Sequence, residues 1–123
     1  MPQDLQALAT EDFCYLTTTG RVTGRPHTIE IWFAIDGETL YMLSGGRDRS
    51  DWVRNVQRTP EVTVHIGGER FGGRGRIVED AEEDELARKL LIEKYERNPG
   101  SLASWRSSAL PVAVDLEAEL RPG

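Results

Sequence analysis

The stretch HTIEIWFAI (27–35) alternates without a break. Ile29, Ile31, Phe33 and Ile35 fall on one side; Thr28, Glu30, Trp32 and Ala34 fall on the other. That is the two-residue period of a strand with one face in a core. Asp36-Gly37 follows, a dipeptide suited to a tight hairpin turn, and TLYMLS (39–44) returns as the next strand. A chain patterned this way builds antiparallel sheet, and most of the remaining sequence repeats the device.

FCYLTTT (13–19) is strand-like by composition, and EVTVHI (61–66) puts Val62, Val64 and Ile66 on one face. Gly67-Gly68 turns the chain into ERFGGRGRIVE (69–79), whose three glycines predict a bulge or a sharp bend at a barrel corner. PVAVDLE (111–117) supplies a last strand, with Val112, Val114 and Leu116 on one face. Three helical patterns interrupt the strands. Residues 3–9, with Leu5 and Leu8, suit a short helix. DWVRNVQR (51–58) lies between an N-capping Ser50 and Pro60, with Trp52, Val53 and Val56 on one stripe. A D-x-x-E capping pattern at Asp80 and Glu83 opens a third helix that buries Leu86, Ala87, Leu90, Leu91 and Tyr95 and ends at Asn98-Pro99-Gly100. The order is helix, three strands, helix, two strands, helix, strand. It predicts one domain over 1–123, mainly β with peripheral helices: a six-stranded antiparallel barrel, which leaves no exposed sheet edge.

With 123 residues the chain has enough length for one core without staples. Cys14 is the only cysteine and reads as a buried small hydrophobe; no internal disulfide can form and no cysteine cluster can hold a metal. No apolar run approaches a membrane span, and MPQDLQALATED has neither the basic nor the apolar part of a secretory signal. A cytoplasmic protein is expected. The net charge of −6 argues against a general nucleic-acid binder. The charge is uneven, however: from Arg21 to Arg76 nine arginines stand against seven acids, while the remainder holds six basic residues against fourteen acids.

Two Gly-Arg stretches concentrate those arginines. In TTTGRVTGRPHT (17–28), Gly20 and Gly24 let the backbone turn and present amides, Arg21 and Arg25 add charge-assisted donors, and Thr19 and Thr23 add hydroxyls. This suits a phosphate or a carboxylate; taken alone it also suits a solvated surface turn. It is not a P-loop, because no Gly-Lys-Ser/Thr closes it, and Gly73 and Gly75 do not make a dinucleotide fingerprint because Val78 replaces the third glycine. The second stretch, SGGRDRSDW (44–52), places two glycines and two arginines before a helix N-terminus, an end that attracts anions. Packing accounts for part of Trp52, and a first-turn charge for part of Asp51. His65 reads as a surface or interface residue. Glu30 is either solvated or paired with an arginine. No Ser-His-Asp or paired-carboxylate arrangement is legible.

TTTGRVTGRPHTIEIWF, LYMLSGG, RSDWVRN and PEVTVHIGG occur in that order. The combination resembles the deazaflavin-dependent nitroreductase family of the split β-barrel flavin/deazaflavin oxidoreductases, over roughly residues 12–117. The resemblance implies a six-stranded split barrel that binds coenzyme F420, a phosphodiester-linked, glutamylated deazaflavin. It implies that Arg21, Thr23, Gly24 and Arg25 contact the cofactor tail, and that Ser44, Gly45, Gly46, Arg49, Ser50, Asp51 and Trp52 surround the phosphate or ring. It also implies a homodimer, with the ring pocket completed by a second subunit. Val22 stands where relatives often carry lysine, which removes one tail cation. His27, also assigned to the cofactor site, stands where the nitroreductase pattern has arginine; RPH…WF is familiar from the sister branch of biliverdin reductases and flavin-type oxidases. Nitroimidazole-activating members carry several tyrosines between the last helix and last strand, whereas this chain has Tyr95 and then ERNPGSLASW.

The expectation is an F420-dependent oxidoreductase that moves a hydride from reduced deazaflavin to a small electron-poor acceptor: a quinone, an enone or a nitro compound. Tyr95 or water supplies the proton, and no metal is called for. Bulky quinones and cyclic enones are expected to react, and nitroimidazoles little. Two alternatives stay open: a non-catalytic flavin or deazaflavin carrier, and an FMN-dependent split-barrel oxidase.

Overall fold

The computed structural model describes residues 8, 10–46, 49–95 and 109–120. Seven strands and two helices occur among them: β1 (Cys14–Thr19), β2 (Pro26–Ile31), β3 (Ala34–Asp36), β4 (Thr39–Ser44), α1 (Asp51–Arg58), β5 (Glu61–Ile66), β6 (Glu69–Ile77), α2 (Ala81–Tyr95) and β7 (Leu110–Leu120). They form one sheet in the order β2-β1-β5-β6-β7-β4-β3 with every pair antiparallel. The short N-terminal helix expected over 3–9 falls mostly outside the described residues, as do the Asn98-Pro99-Gly100 stop and the 101–105 segment.

The count of seven corrects the expected six. The alternating run 27–35 is not one strand. It breaks at Trp32-Phe33, and its halves pair at opposite ends of the sheet, β2 on β1 and β3 on β4. Two residues thus separate the first and last strands of the order. The sheet must curl to let so short a link join its ends, which makes it a half-barrel split between β2 and β3.

The break also sorts the residues into two cores. Leu16, Phe33, Leu40, Met42, Val64, Val112 and Val114 fill the barrel, closed by Val53 and Val56 of α1. Tyr41, Leu43 and Ala113 point the other way and are covered by Ala87, Leu91 and Tyr95 of α2. Hence β4 is buried on both faces. The bend expected in the glycine-rich strand is present as a register shift between Gly72 and Gly73. Gly75 has a separate reason: a Cβ there would come within 2.6 Å of Val56 Cγ1, so its absence lets α1 lie directly on β6.

α2 is held from outside the core as well. Arg76 Nη1 and Nη2 donate to the two Glu83 oxygens at 2.7 Å each, and its Nε donates to Asp115 Oδ2 at 2.8 Å. Tyr41 Oη donates to Glu83 at 2.8 Å. The guanidinium holds both carboxyls below the usual range, chiefly by hydrogen bonding. The capping pattern is therefore half realised: Asp80 accepts from Glu83 N at 2.9 Å, but the Glu83 carboxylate turns to Arg76.

Candidate active site

The Gly-Arg loop is the β1–β2 connection. Thr19 pairs with Pro26, Gly20 N donates to Arg25 O at 2.8 Å, Gly24 N donates to Gly20 O at 2.9 Å, and Gly24 sits at φ 76°. The loop reaches over α1. Arg21 N and Nη1 both donate to Asn55 Oδ1, at 3.2 and 3.1 Å, and Nη2 donates to Asp51 Oδ1 at 3.1 Å. Asn55 is buried and donates in turn to Thr18 Oγ1 at 3.1 Å. A helix residue thus fixes the loop that the sequence singled out. Asn55 was not among the expected site residues. Its one signal was position: an amide one residue before Val56 on the packed side of a short amphipathic helix.

Between this loop and α1 lies a cleft of about 470 Å³. Gly20, Arg21, Thr23, His27, Asp51 and Trp52 are among its walls. His27 lies against the loop, since a Cβ at Gly20 would meet its Nε2 at 2.7 Å. A larger cleft of about 840 Å³ adjoins it and shares Ile29 and Trp52 with it. Trp32, Leu43, Leu91, Gly45, Gly46 and Glu30 also line the larger cleft. Ile29 and Ile31, assigned to the core by their alternation, are only half-buried because they form a wall of this cleft.

Ser44 and Ser50 line it too, with their hydroxyls 2.9 Å apart. Ser50 does occupy the N-cap position of α1, but its side chain makes no capping bond. The structure brings together Arg21, Thr23, His27, Ser44, Gly45, Gly46, Ser50, Asp51 and Trp52 in two joined clefts. Gly24, Arg25 and Arg49 are exposed and line neither.

Tyr95 lines neither cleft. Its hydroxyl donates to Asp12 O at 2.6 Å and accepts from Phe33 N at 3.1 Å. Burial pushes the phenol up to about 12. Its ring packs flat on Trp32, which does line the larger cleft. Lys94 completes this corner: Nζ donates to Phe33 O at 2.9 Å and sits 3.6 Å over the Phe33 ring. Among the described residues no group of three His, Cys, Asp or Glu side chains is placed to hold a metal ion. None of the described helices is long and apolar enough to cross a membrane.

An apolar slot with two tryptophans and a glycine turn runs into a smaller cleft whose walls include Arg21, His27 and Asp51, a shape with room for a flat heterocycle and an arm. The family described as F420H(2)-dependent quinone reductase matches residues 4–117. The chain belongs to that family. The F420H(2)-dependent quinone reductase Rv1261c of Mycobacterium tuberculosis is 33% identical over 103 residues, 80% of this chain and 69% of that protein. A solved F420 reductase superposes with a TM-score of 0.70 at 19% identity, covering 98% of each chain. The heme storage protein HutZ of Vibrio cholerae gives 0.69 at 16% identity, covering 94% of this chain and 89% of its own. At such identities the two solved structures show the fold alone, a split-barrel-like one. The family fixes the cofactor class as F420, the one that the sequence resemblance implied.

Proposed function

We propose that this quinone reductase family member transfers a hydride from reduced F420 to a quinone or a comparably electron-poor ring such as a cyclic enone. One observation carries the reading: the 840 Å³ slot and the 470 Å³ cleft that Arg21 lines meet at Ile29 and Trp52. A ring and a charged tail of one molecule would occupy them together. The donor set fits. Trp32, Trp52, Ile29 and Leu43 offer apolar walls to a ring, and Gly45-Gly46 lets backbone approach it closely. Arg21, Thr23 and His27 offer donors to the phosphate and glutamates, with Gly24 and Arg25 flanking on the loop.

Bound F420 supplies the hydride; the protein supplies position and electrostatics. Trp32 and Leu91 hold the acceptor against the slot and keep bulk water from that side. One of the Ser44 and Ser50 hydroxyls donates to the other, which leaves one proton of the pair to donate toward a carbonyl oxygen in the slot. The proton that completes reduction comes from water at the open side, where Glu30 is exposed. We assign Tyr95 to holding Trp32, because its proton is committed to the Asp12 carbonyl.

The dimer belongs to this proposal. Phe13, just before β1, and Tyr15 of β1 are exposed, with Tyr15 beside His65 of β5. Such an aromatic row suits a partner subunit, and sedentary monomer behaviour in analytical ultracentrifugation at micromolar concentration would remove it.

The test of function is stopped-flow oxidation of bound reduced F420 against quinones, cyclic enones and nitroimidazoles, with FMN titrated in parallel. Quinones should accelerate oxidation most. Binding without acceleration by any acceptor would make the protein a carrier, and tighter binding of FMN than of F420 would make it an oxidase of the flavin type.

A further inference from the structure

We infer that Asp51 masks Arg21 and so sets how strongly the smaller cleft takes an anion. The inference rests on reading that cleft as the site of the F420 tail. Arg21 has two kinds of partner. Asn55 is neutral, buried and anchored on Thr18; it takes both the backbone N and Nη1 of Arg21 and fixes the side chain without cancelling its charge. Asp51 takes Nη2 at 3.1 Å and does cancel it. The two acceptors differ in how firmly they are held. The Asp51 side chain is 85% exposed and that of Arg21 30%. An ion pair so open to water is weak, and its acid can swing away at little cost. A phosphate or carboxylate entering the cleft needs the same outward donor edge of the guanidinium, and an arginine fork holds such groups through paired bonds. Asp51 therefore competes with the ligand for one edge of one arginine, while Asn55 keeps that arginine in place whichever anion wins.

This arrangement also discriminates. A ligand without an anion gains nothing from displacing Asp51, and a singly charged buffer ion gains little. A phosphodiester followed by glutamates displaces it and keeps other charges for Arg25 and His27. The carboxylate thus acts as a threshold that admits multiply charged tails.

The experiment measures equilibrium affinity by tryptophan fluorescence and calorimetry, with no turnover. Wild type, Asp51→Asn and Asp51→Ser are each titrated with F420 and with the phosphate-free deazariboflavin core, at low and high salt. Unfolding midpoints are recorded beside them to confirm folding. Both variants should bind F420 about two- to five-fold more tightly at low salt, the range of one exposed ion pair. They should bind the phosphate-free core as wild type does. An unchanged F420 affinity overturns the mask. A weakened one overturns it too, because Asp51 would then be orienting Arg21 for the ligand. If wild type binds the core as tightly as F420, the tail reading itself fails and the mask goes with it; that result is seen before any variant is compared.

Discussion

Trp32 lies flat on Tyr95, with ring centroids 4.3 Å apart and planes 8° from parallel. The pair joins the two-residue link that splits the barrel to the last turn of α2. Trp32 faces the larger cleft, and Tyr95 ties the same link down through Phe33 N and the Asp12 carbonyl. Removing the Tyr95 hydroxyl leaves the buried Phe33 N–H without that acceptor. Tyr95→Phe should therefore lose about 1–3 kcal/mol of stability in urea unfolding, while kcat changes by less than about tenfold. A loss of 10²-fold or more, with a shift of the pH–rate profile, is the signature of a general acid and would return Tyr95 to the chemistry.

Arg25 and Arg21 should separate binding from folding. Arg25 is exposed and, among the described residues, makes no ion pair. Arg25→Ala should weaken F420 binding by about 1.5–3 kcal/mol, the scale of a hydrogen bond to a charged group, with stability moving less than about 0.5 kcal/mol. Arg21→Ala should lower both, because it takes the Nη1 donor from buried Asn55, which then keeps only the backbone N–H of residue 21. Calorimetric titration and thermal melts on the two variants decide it; an Arg25→Ala protein that melts early and binds normally would make the loop a structural turn.

Much of this molecule was legible from period and punctuation. Six strands were expected, and the Asp36-Gly37 turn, the Gly72–Gly73 irregularity and the apolar stripes of α1 and α2 lie where the sequence put them. What failed was the count, at Trp32-Phe33. A two-residue alternation continues unbroken through that link, and only the closing of the sheet reveals that the strand must change partners there. The same blindness hid the slot. Ile29 and Ile31 carry the signature of a core face, and periodicity does not distinguish a face packed on protein from one that lines a cleft. Asn55 was missed because its importance lies in long-range bonds to Thr18 and Arg21, 37 and 34 residues away in the chain. The Gly-Arg loops were legible because their residue types carry chemistry; which arginine is tied down was not, since only the packed helix supplies the partners.

At the Trp32–Tyr95 corner three groups should shape the alkaline limb of stability: Lys94 on one side, and on the other Cys14 and Tyr95, whose phenol burial raises from 10.0 to about 12. Burial lowers Lys94 from 10.5 to about 8, against the opposing pull of Cys14, Asp12 and Glu11. Burial raises Cys14 from 9.0 to about 12. Between about 8 and 10.5 the unfolded chain binds the extra proton at Lys94, so its contribution to stability grows with pH; between 9.0 and about 12 the folded chain keeps the proton of Cys14, so its contribution falls. The melting temperature should rise from pH 8 to about 9, level off while Lys94 and Cys14 offset each other, and fall once Tyr95 adds to Cys14 above about 10. Lys94→Met should abolish the rise and Cys14→Ala should soften the fall. A monotonic decline from pH 8 in wild type would mean that Lys94 keeps an ordinary affinity for its proton.

Arg76 governs the acid limb. It holds Glu83 and Asp115 below their unfolded values, so their contribution is complete above the ordinary carboxylate range and is lost as pH falls through the depressed folded values. The side chains are not fully buried, at 40% for Arg76, 21% for Glu83 and 47% for Asp115. Water therefore screens the cluster, and its worth lies between that of an exposed pair and a buried one. Arg76→Met should cost about 1–2 kcal/mol at neutral pH. It should also flatten the loss of stability toward acid, because the two carboxyls would then titrate much as they do in the unfolded chain. The clamp lies between β6, β7 and α2, and none of its members lines either cleft, so F420 affinity should be unchanged. Urea unfolding of wild type and variant from pH 3 to 7 checks the first two points, and a fluorescence titration with F420 checks the third. Equal acid slopes in the two proteins would place the acid-labile carboxylates elsewhere, and weakened binding would mean that α2, through Leu91 and Trp32, transmits strain from the clamp to the slot.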